Sequence, residues 1–199
     1  MTRALDRETL ERRFRPEELV TLPERALAGI RHEPSRAFLR NIGIPVRPTP
    51  WFDLIERDEP EYKRLSDSYE EDLRTVWPGL PDGAENWLLI GMIPYEDFAL
   101  DSGTGALVLF PQDHDEPYVL NTDLASFVRF LCLLEEERPH YDEDFEPDEG
   151  EEEGEGEADC VGAARRLAAR MREIDPAALE VPHSRWHDIL DYIAYPAAR

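Results

Sequence analysis

Residues Trp87 to Leu134 read WLLIGMIPYEDFALDSGTGALVLFPQDHDEPYVLNTDLASFVRFLCLL and contain the strongest structural signal in the chain. Short apolar runs of strand length alternate with turn residues as far as Leu120. After Asn121-Thr122-Asp123 the apolar residues recur at spacings of three and four, which is typical of a helix packed on a core. The stretch predicts a sheet followed by a helix that covers one of its faces.

Four strands are predicted within this stretch and one before it. They lie at 87–93, from 98 to 100, at 106–110 and at 118–120, with an earlier strand at 51–55. Asp101-Ser102-Gly103-Thr104-Gly105 is a tight reversal, because its glycines tolerate positive φ. Strands joined by such short links pair antiparallel, so we predict an α+β fold whose central sheet is mainly an antiparallel meander flanked by helices.

Helix start signals occur in the sequence both before and after the predicted strands. Thr21-Leu22-Pro23-Glu24 matches a capping box with the threonine as cap, and residues 35–43 match a helix with a serine cap and a glycine stop. Asp159 is predicted to cap a later helix, and a last short helix is predicted to follow Ser184. The residues predicted to be buried on them are Val161, Ala164, Leu167, Ala168, Met171 and Ile174, then Trp186, Ile189, Leu190 and Ile193.

Composition limits the classes of function. At 199 residues we predict a single domain over 1–199. The formal net charge of -23 repels phosphate backbones and anionic membranes, and it attracts basic surfaces. Cys132 and Cys160 form neither a disulfide framework nor a zinc motif, and no signal peptide or membrane span is predicted, so the expected location is a bacterial-type or other reducing cytoplasm.

The charge is concentrated in one run. From Glu135 to Asp159 there are fifteen acidic residues and one basic residue, Arg138. We predict that 138–158 is a disordered acidic insertion, which either keeps the protein soluble or docks a basic protein partner. The candidate partner-binding residues are Asp142, Glu143, Asp144, Glu146, Asp148 and Glu149.

No catalytic, cofactor or metal site is predicted. His183 and His187 are four residues apart, but the sequence between them lacks the glutamate of a metalloprotease motif. Ser102 lacks a nucleophile-elbow context, its glycine turn lacks the lysine of a P-loop, and the acidic run does not match an EF-hand. We therefore predict that the protein is not an enzyme.

Several segments keep an order and spacing that belong together. They are 38–45 (FLRNIGIP), 89–91 (LIG), 98–105 (FALDSGTG) and 120–128 (LNTDLASFV), together with the closing helix around Trp186. Their order resembles the SUKH superfamily, the Smi1/Knr4-like fold, and most closely its SUKH-4 immunity proteins. The resemblance implies an α+β domain and a non-enzymatic inhibitor of a toxin, in many cases a nuclease. It also implies that the glycine turn and the Asn-Thr-Asp-Leu segment are fold signatures rather than catalytic residues.

Three hypotheses follow. The first is an immunity-type protein that binds a cognate, basic, nuclease-like toxin and occludes it sterically and electrostatically. The second is an intracellular regulatory or scaffold protein that uses a SUKH-like fold to bind other proteins. The third, a hydrolase or metal enzyme, has no residue pattern in its support.

Overall fold

A computed structural model describes residues 5–47, 49–55, 62–112, 116–142, 145, 159–182 and 184–196. The chain divides into two compact units, Met1–Val128 and Arg129–Arg199. The boundary falls within one helix, Leu124–Glu137, so each unit contains part of it. Every strand that the structure describes belongs to the first unit, and the described part of the second unit is helical.

In the described part of the first unit, four short helices precede the last strand. They are α1 (Arg7–Glu11), α2 (Glu24–Leu27), α3 (Glu33–Asn41) and α4 (Leu73–Val76). Asp6 caps α1 by accepting the Thr9 N–H at 2.8 Å, and Asp72 caps α4 by accepting the Arg74 N–H at 2.8 Å. Single 3-10 turns lie at Pro16–Glu18, Leu65–Ser68 and Ala84–Asn86.

The central sheet has five antiparallel strands in chain order. A separate pair, β1 (Leu19–Val20) and β2 (Ile44–Pro45), precedes it. The predicted meander and α+β class are confirmed, and the strand predicted at 51–55 shortens to two residues. The five strands are β3 (Asp53–Leu54), β4 (Leu88–Ile93), β5 (Glu96–Leu100), β6 (Leu107–Phe110) and β7 (Tyr118–Asn121).

Strand β5 is buried along its whole length, because apolar groups cover both faces of the sheet. On one face the Phe98 ring lies 5.3 Å from that of Phe127 and 6.3 Å from that of Phe52, measured between centroids. Phe127 belongs to α5 (Leu124–Glu137), so the first turns of this helix cover the sheet as predicted. On the other face a second cluster contains Ala99, Phe110, Trp77 and Trp87, with Leu65, Leu73 and Ala84.

The turn between β5 and β6 also holds a distant segment. Asp101 accepts the Gly103 N–H at 2.8 Å and the Thr104 hydroxyl at 2.6 Å, which closes the turn on itself. The Ser102 carbonyl accepts the N–H groups of Arg31 and His32, both at 2.8 Å. This glycine turn is therefore a strand connection and an anchor for the start of α3, as the hairpin interpretation predicts.

The second unit is built on the remainder of α5. It continues through a 3-10 turn, Arg138–His140, to α6 (Cys160–Ile174), a turn at Pro176–Leu179 and α7 (Arg185–Ala194). The indole of Trp186 is fully buried, and its ring centroid lies 4.9 Å from that of Phe130. Asp159 accepts the Gly162 N–H at 2.9 Å, so its predicted capping role is confirmed. The last helix follows Ser184 as predicted, and the Ser184 side chain accepts the Trp186 N–H at 3.4 Å.

The predicted threonine cap of the second helix is wrong. Helix α2 follows Pro23, with no side-chain capping bond. Glu24 was predicted to reach back to the cap, but its carboxylate pairs instead with Arg36 and with Arg40, whose Nη2 lies 2.7 Å from Oε2. Both arginines belong to α3, so the carboxylate that a capping box needs is engaged by another helix.

Two further details of the helices differ from prediction. Helix α3 begins at Glu33 rather than Ser35, because a proline fits its first turn, and Ser35 instead bonds His32 Nδ1 at 2.8 Å. On α6, Val161 is exposed, because it precedes the buried stripe instead of lying within it. That stripe consists of Ala163, Ala164, Leu167 and Met171, while the predicted Ala168 and Ile174 are half-buried.

Gly105→Ala should lower the free energy of unfolding by about 1–3 kcal/mol or more, the usual cost of a non-glycine residue in a sparsely populated backbone region. Gly105 has φ +84, and an added Cβ would lie 2.1 Å from His32 Nδ1. Urea denaturation followed by circular dichroism measures the change. Gly79→Ala is the matched control, since no atom lies within 4 Å of its Cβ position. Equal stabilities of the two variants would contradict the conclusion that position 105 requires glycine.

Candidate partner-binding site

Of the six predicted partner-binding residues, only Asp142 lies among the described residues. Its Oδ2 accepts a hydrogen bond from Arg138 Nε at 2.7 Å, so its carboxylate is already part of an ion pair. The other five, Glu143, Asp144, Glu146, Asp148 and Glu149, lie outside the described residues, and their role stays a prediction. Asp142 itself lies in the first part of the acidic run, shortly after the end of α5.

Other contacts hold the residues next to Asp142 in place. The hydroxyl of Tyr141 donates to the Leu134 carbonyl at 3.0 Å, and burial raises the pKa of Tyr141. The Arg138 guanidinium lies 5.7 Å from the centre of the Phe145 ring. The chain therefore leaves α5 through a hydrogen-bonded turn before it enters the most acidic residues.

One arginine connects the two ends of the acidic run. Arg166 Nε and Nη2 donate to Glu137 Oε2 at 2.9 and 2.8 Å, and Nη1 donates to Asp159 Oδ2 at 2.9 Å. The hydrogen bond from Arg166 lowers the pKa of Asp159. Glu137 ends α5 and Asp159 caps α6. The same guanidinium group therefore binds the two residues that flank 138–158. A second pair, Arg170 with Glu136, lies alongside, with N–O distances of 2.6 and 3.1 Å.

A cleft in the first unit was not predicted from sequence. In the register of the sheet, Asp97 of β5 lies between Met92 of β4 and Phe110 of β6. Directly opposite residues project from the same face of a sheet, so this carboxylate lies at the end of the Trp77–Trp87–Phe110 cluster. Only 8% of Asp97 is exposed.

Hydroxyl groups from a separate segment hold the Asp97 carboxylate. Ser68 and Tyr69 both donate to it, and Lys63 contributes a favourable charge. Burial raises the pKa of Asp97, and these three groups lower it in part. Burial and then the charge of Asp97 raise the pKa of Tyr69. The four side chains form one polar cluster at the edge of an aromatic core.

This cluster opens into a cavity of about 520 Å³. Its apolar walls are the side chains of Trp77, Phe110 and Met92, and its mouth carries Tyr95, which is 82% exposed. A smaller cavity of about 220 Å³ adjoins it and adds Asp53 to the lining. The sequence signal that could have located the cleft is Glu96-Asp97, two carboxylates inside an otherwise apolar strand.

Only one member of the predicted histidine pair, His187, lies among the described residues. The Nε2 atom of His187 lies 3.1 Å from the Leu179 carbonyl oxygen and makes a structural hydrogen bond, while His183 lies outside the described part of the chain. Within that part, no group of three or more His, Cys, Asp or Glu side chains could hold a metal ion. Likewise, none of the described helices has the length and apolar character needed to cross a membrane.

Taken together, the antiparallel meander, the helix that covers it and the anchored glycine turn define a SUKH-like α+β fold. The model of the SUKH-4 immunity protein family matches residues 5–192, so the chain belongs to the SUKH-4 immunity protein family. A search of curated proteins and a search of solved structures each found no match. Membership indicates an immunity-type function, and a protein toxin is the kind of partner that such a function implies.

Arg166→Gln should destabilise the second unit more than Arg170→Gln, although both arginines lie on α6 and pair with α5. The side chain of Glu137 is only 8% exposed, whereas that of Glu136 is 35% exposed. Loss of Arg166 leaves a buried carboxylate short of donors, at a cost of about 1–3 kcal/mol, and loss of a surface pair costs under about 1 kcal/mol. Urea denaturation measures both, and the reverse order would contradict the anchoring role.

Asp97→Asn should remove a pH-dependent loss of stability. Because the folded-state pKa of Asp97 lies above its ordinary value of 3.8, the folded protein binds this proton more tightly than the unfolded chain does. Stability from the protonated form is therefore complete below 3.8 and is lost as pH rises through the raised pKa.

We expect the stability of the wild type relative to Asp97→Asn to fall over that window. Urea midpoints at a series of pH values measure it, and the exposed variant Asp191→Asn controls for the change in net charge. A relative stability that rises with pH would show that the hydrogen bonds of Asp97 outweigh its burial.

Proposed function

We propose that this chain is an immunity protein that binds a cognate toxin and neutralises it by occlusion, without turnover. The observation that carries the proposal is the family match over residues 5–192, which covers most of each compact unit. The proposed location is the cytoplasm in which the toxin would act. Recognition then depends on surfaces rather than on a reactive side chain.

The charge of the chain supports a basic partner. A nuclease must attract phosphate, so the surface around its active site is basic, and a protein with a net charge of -23 competes for that surface. The same charge opposes binding to nucleic acids and to anionic membranes. We therefore propose a basic, nuclease-like toxin as the partner, with neither nucleic acid nor membrane as a ligand.

Acidic side chains at the two described ends of the acidic run pair with arginines of the second unit. They are Glu136, Glu137, Asp142 and Asp159. Residues 143–158 contain ten further acidic residues and no basic one. We propose that this segment, with Glu143, Asp144, Glu146, Asp148 and Glu149, supplies the charge that attracts the toxin. Asp142 then has a structural role, because its ion pair with Arg138 fixes the chain where the segment begins.

Pull-down of the tagged protein from its native host tests the proposal. We expect it to recover a basic toxin, and co-expression with that toxin should restore growth of a sensitive strain. If no toxin is recovered, and a toxin encoded beside this gene stays active in the presence of the protein, the immunity proposal fails. Recovery of a partner that is not a toxin would favour a regulatory or scaffold role.

Neutralising five acidic side chains of the segment should slow association with the toxin on the order of tenfold at low salt, because steering by charge contributes about 10- to 1,000-fold to on-rates. The salt dependence of the rate should also become weaker. Stopped-flow fluorescence measures both quantities. The variant combines Glu143→Gln, Asp144→Asn, Glu146→Gln, Asp148→Asn and Glu149→Gln.

A control variant changes the net charge equally at exposed positions elsewhere. We expect it to slow association less and to leave the dissociation rate unchanged. Equal slowing by the two variants would show that only the overall charge matters and would contradict a local role for the segment. The control combines Glu17→Gln, Glu85→Gln, Glu173→Gln, Glu180→Gln and Asp191→Asn.

A further inference from the structure

The described part of the cleft beside Asp97 is negatively charged. Asp67 and Asp97 line the larger cavity, and Asp53 lines the smaller one that adjoins it. Among the described residues, Lys63 is the basic residue that lines both. Within this part of the lining three carboxylates accompany one ammonium group, which favours a positively charged occupant.

The carboxylate of Asp97 lines the cavity and is an acceptor for such an occupant. A carboxylate offers about four acceptor positions, and the hydroxyls of Ser68 and Tyr69 are two of its donors. These hydroxyls also hold the carboxylate in one orientation at the cavity wall. A donor that entered the cavity would meet an acceptor that is already positioned, and little side-chain entropy would be lost on binding.

The mouth of the cleft contains a strained aromatic residue. Tyr95 lies in the two-residue link between β4 and β5 at a φ of 68°, and it is the one non-glycine residue with positive φ among those that the structure describes. Such a conformation costs on the order of 1–3 kcal/mol, and a glycine would avoid that cost. The link instead projects a largely exposed phenol ring beside a negatively charged cavity.

We propose that this cleft binds an arginine side chain of the partner. The inference rests on the proposed function, because it assigns the cleft to the same toxin. An arginine fits each part of the lining: its guanidinium can donate to Asp97 and Asp67, its stem can lie along Met92, and its planar face can stack on Tyr95. Lysine has no planar group to stack and offers only a point charge, so arginine is the better match.

A small-molecule probe tests the cleft without the toxin. N-acetyl-arginine N-methylamide is titrated into the isotopically labelled protein at constant ionic strength, and amide chemical shifts are followed by NMR. We expect saturable shifts at 63–69, 92–97 and 110–112, weaker ones with the lysine derivative, and none with the uncharged norleucine derivative. Absence of saturable shifts at these residues overturns the inference.

Variants of exposed tyrosines test the cleft in the complex. Tyr95→Asn removes the ring and keeps a residue that tolerates positive φ, so the fold should be retained. Tyr195→Asn is the matched control, since Tyr195 is also an exposed tyrosine. We expect Tyr95→Asn to raise the Kd for the toxin at least about tenfold, as loss of an aromatic anchor does. Tyr195→Asn should leave the Kd unchanged.

The outcomes separate this inference from the proposed function. If the wild type neutralises its toxin and Tyr95→Asn binds as tightly as the wild type, the cleft inference is wrong and the immunity function stands. If the wild type neutralises no toxin, the proposed function fails and the assignment of the cleft to a toxin fails with it. Circular dichroism spectra of both variants confirm that each is folded before binding is measured.

Discussion

Burial of strand β5 on both faces is the constraint on which the first unit depends. Phe98 packs against Phe52 and Phe127 on one face, and Ala99 lies within the Trp77–Trp87–Phe110 cluster on the other. A strand covered on both sides has no exposed position for a polar side chain. The carboxylate of Asp97, at the start of this strand, must therefore be hydrogen-bonded, which explains why Ser68 and Tyr69 lie over it.

The second unit handles its negative charge by a different physical route. Arginines of α6 pair with glutamates at the end of α5, and Arg166 also holds Asp159 at the start of α6. Charges that support the fold are thus neutralised by hydrogen-bonded arginines, while 143–158 contains acidic residues with no basic residue among them. This division allows a strongly acidic chain to form a helical core, and the proposal assigns the remaining charge to partner binding.

Features set by neighbouring residues could be predicted from the sequence. The strands of the meander, the aspartate cap of α6 and the helix that follows Ser184 depend on residues a few positions apart, and the structure confirms them. The threonine cap at Thr21 is wrong: α2 follows Pro23, and Glu24 pairs with arginines from another helix. The cleft was missed for a related reason: the strand register joins 92–97 to 110–112, and an isolated bridge between Arg64 and Leu88 brings in 63–69, so none of these contacts is local in sequence.

The central claim is that the chain inhibits a toxin by binding it. Titration of the purified protein into an activity assay of its toxin tests this claim most directly. The account predicts that activity falls in proportion to added protein, reaches background at one equivalent, and returns when the complex is dissociated at high salt. Toxin that stays fully active at one equivalent, or that is inactivated by far less than one equivalent, would contradict it.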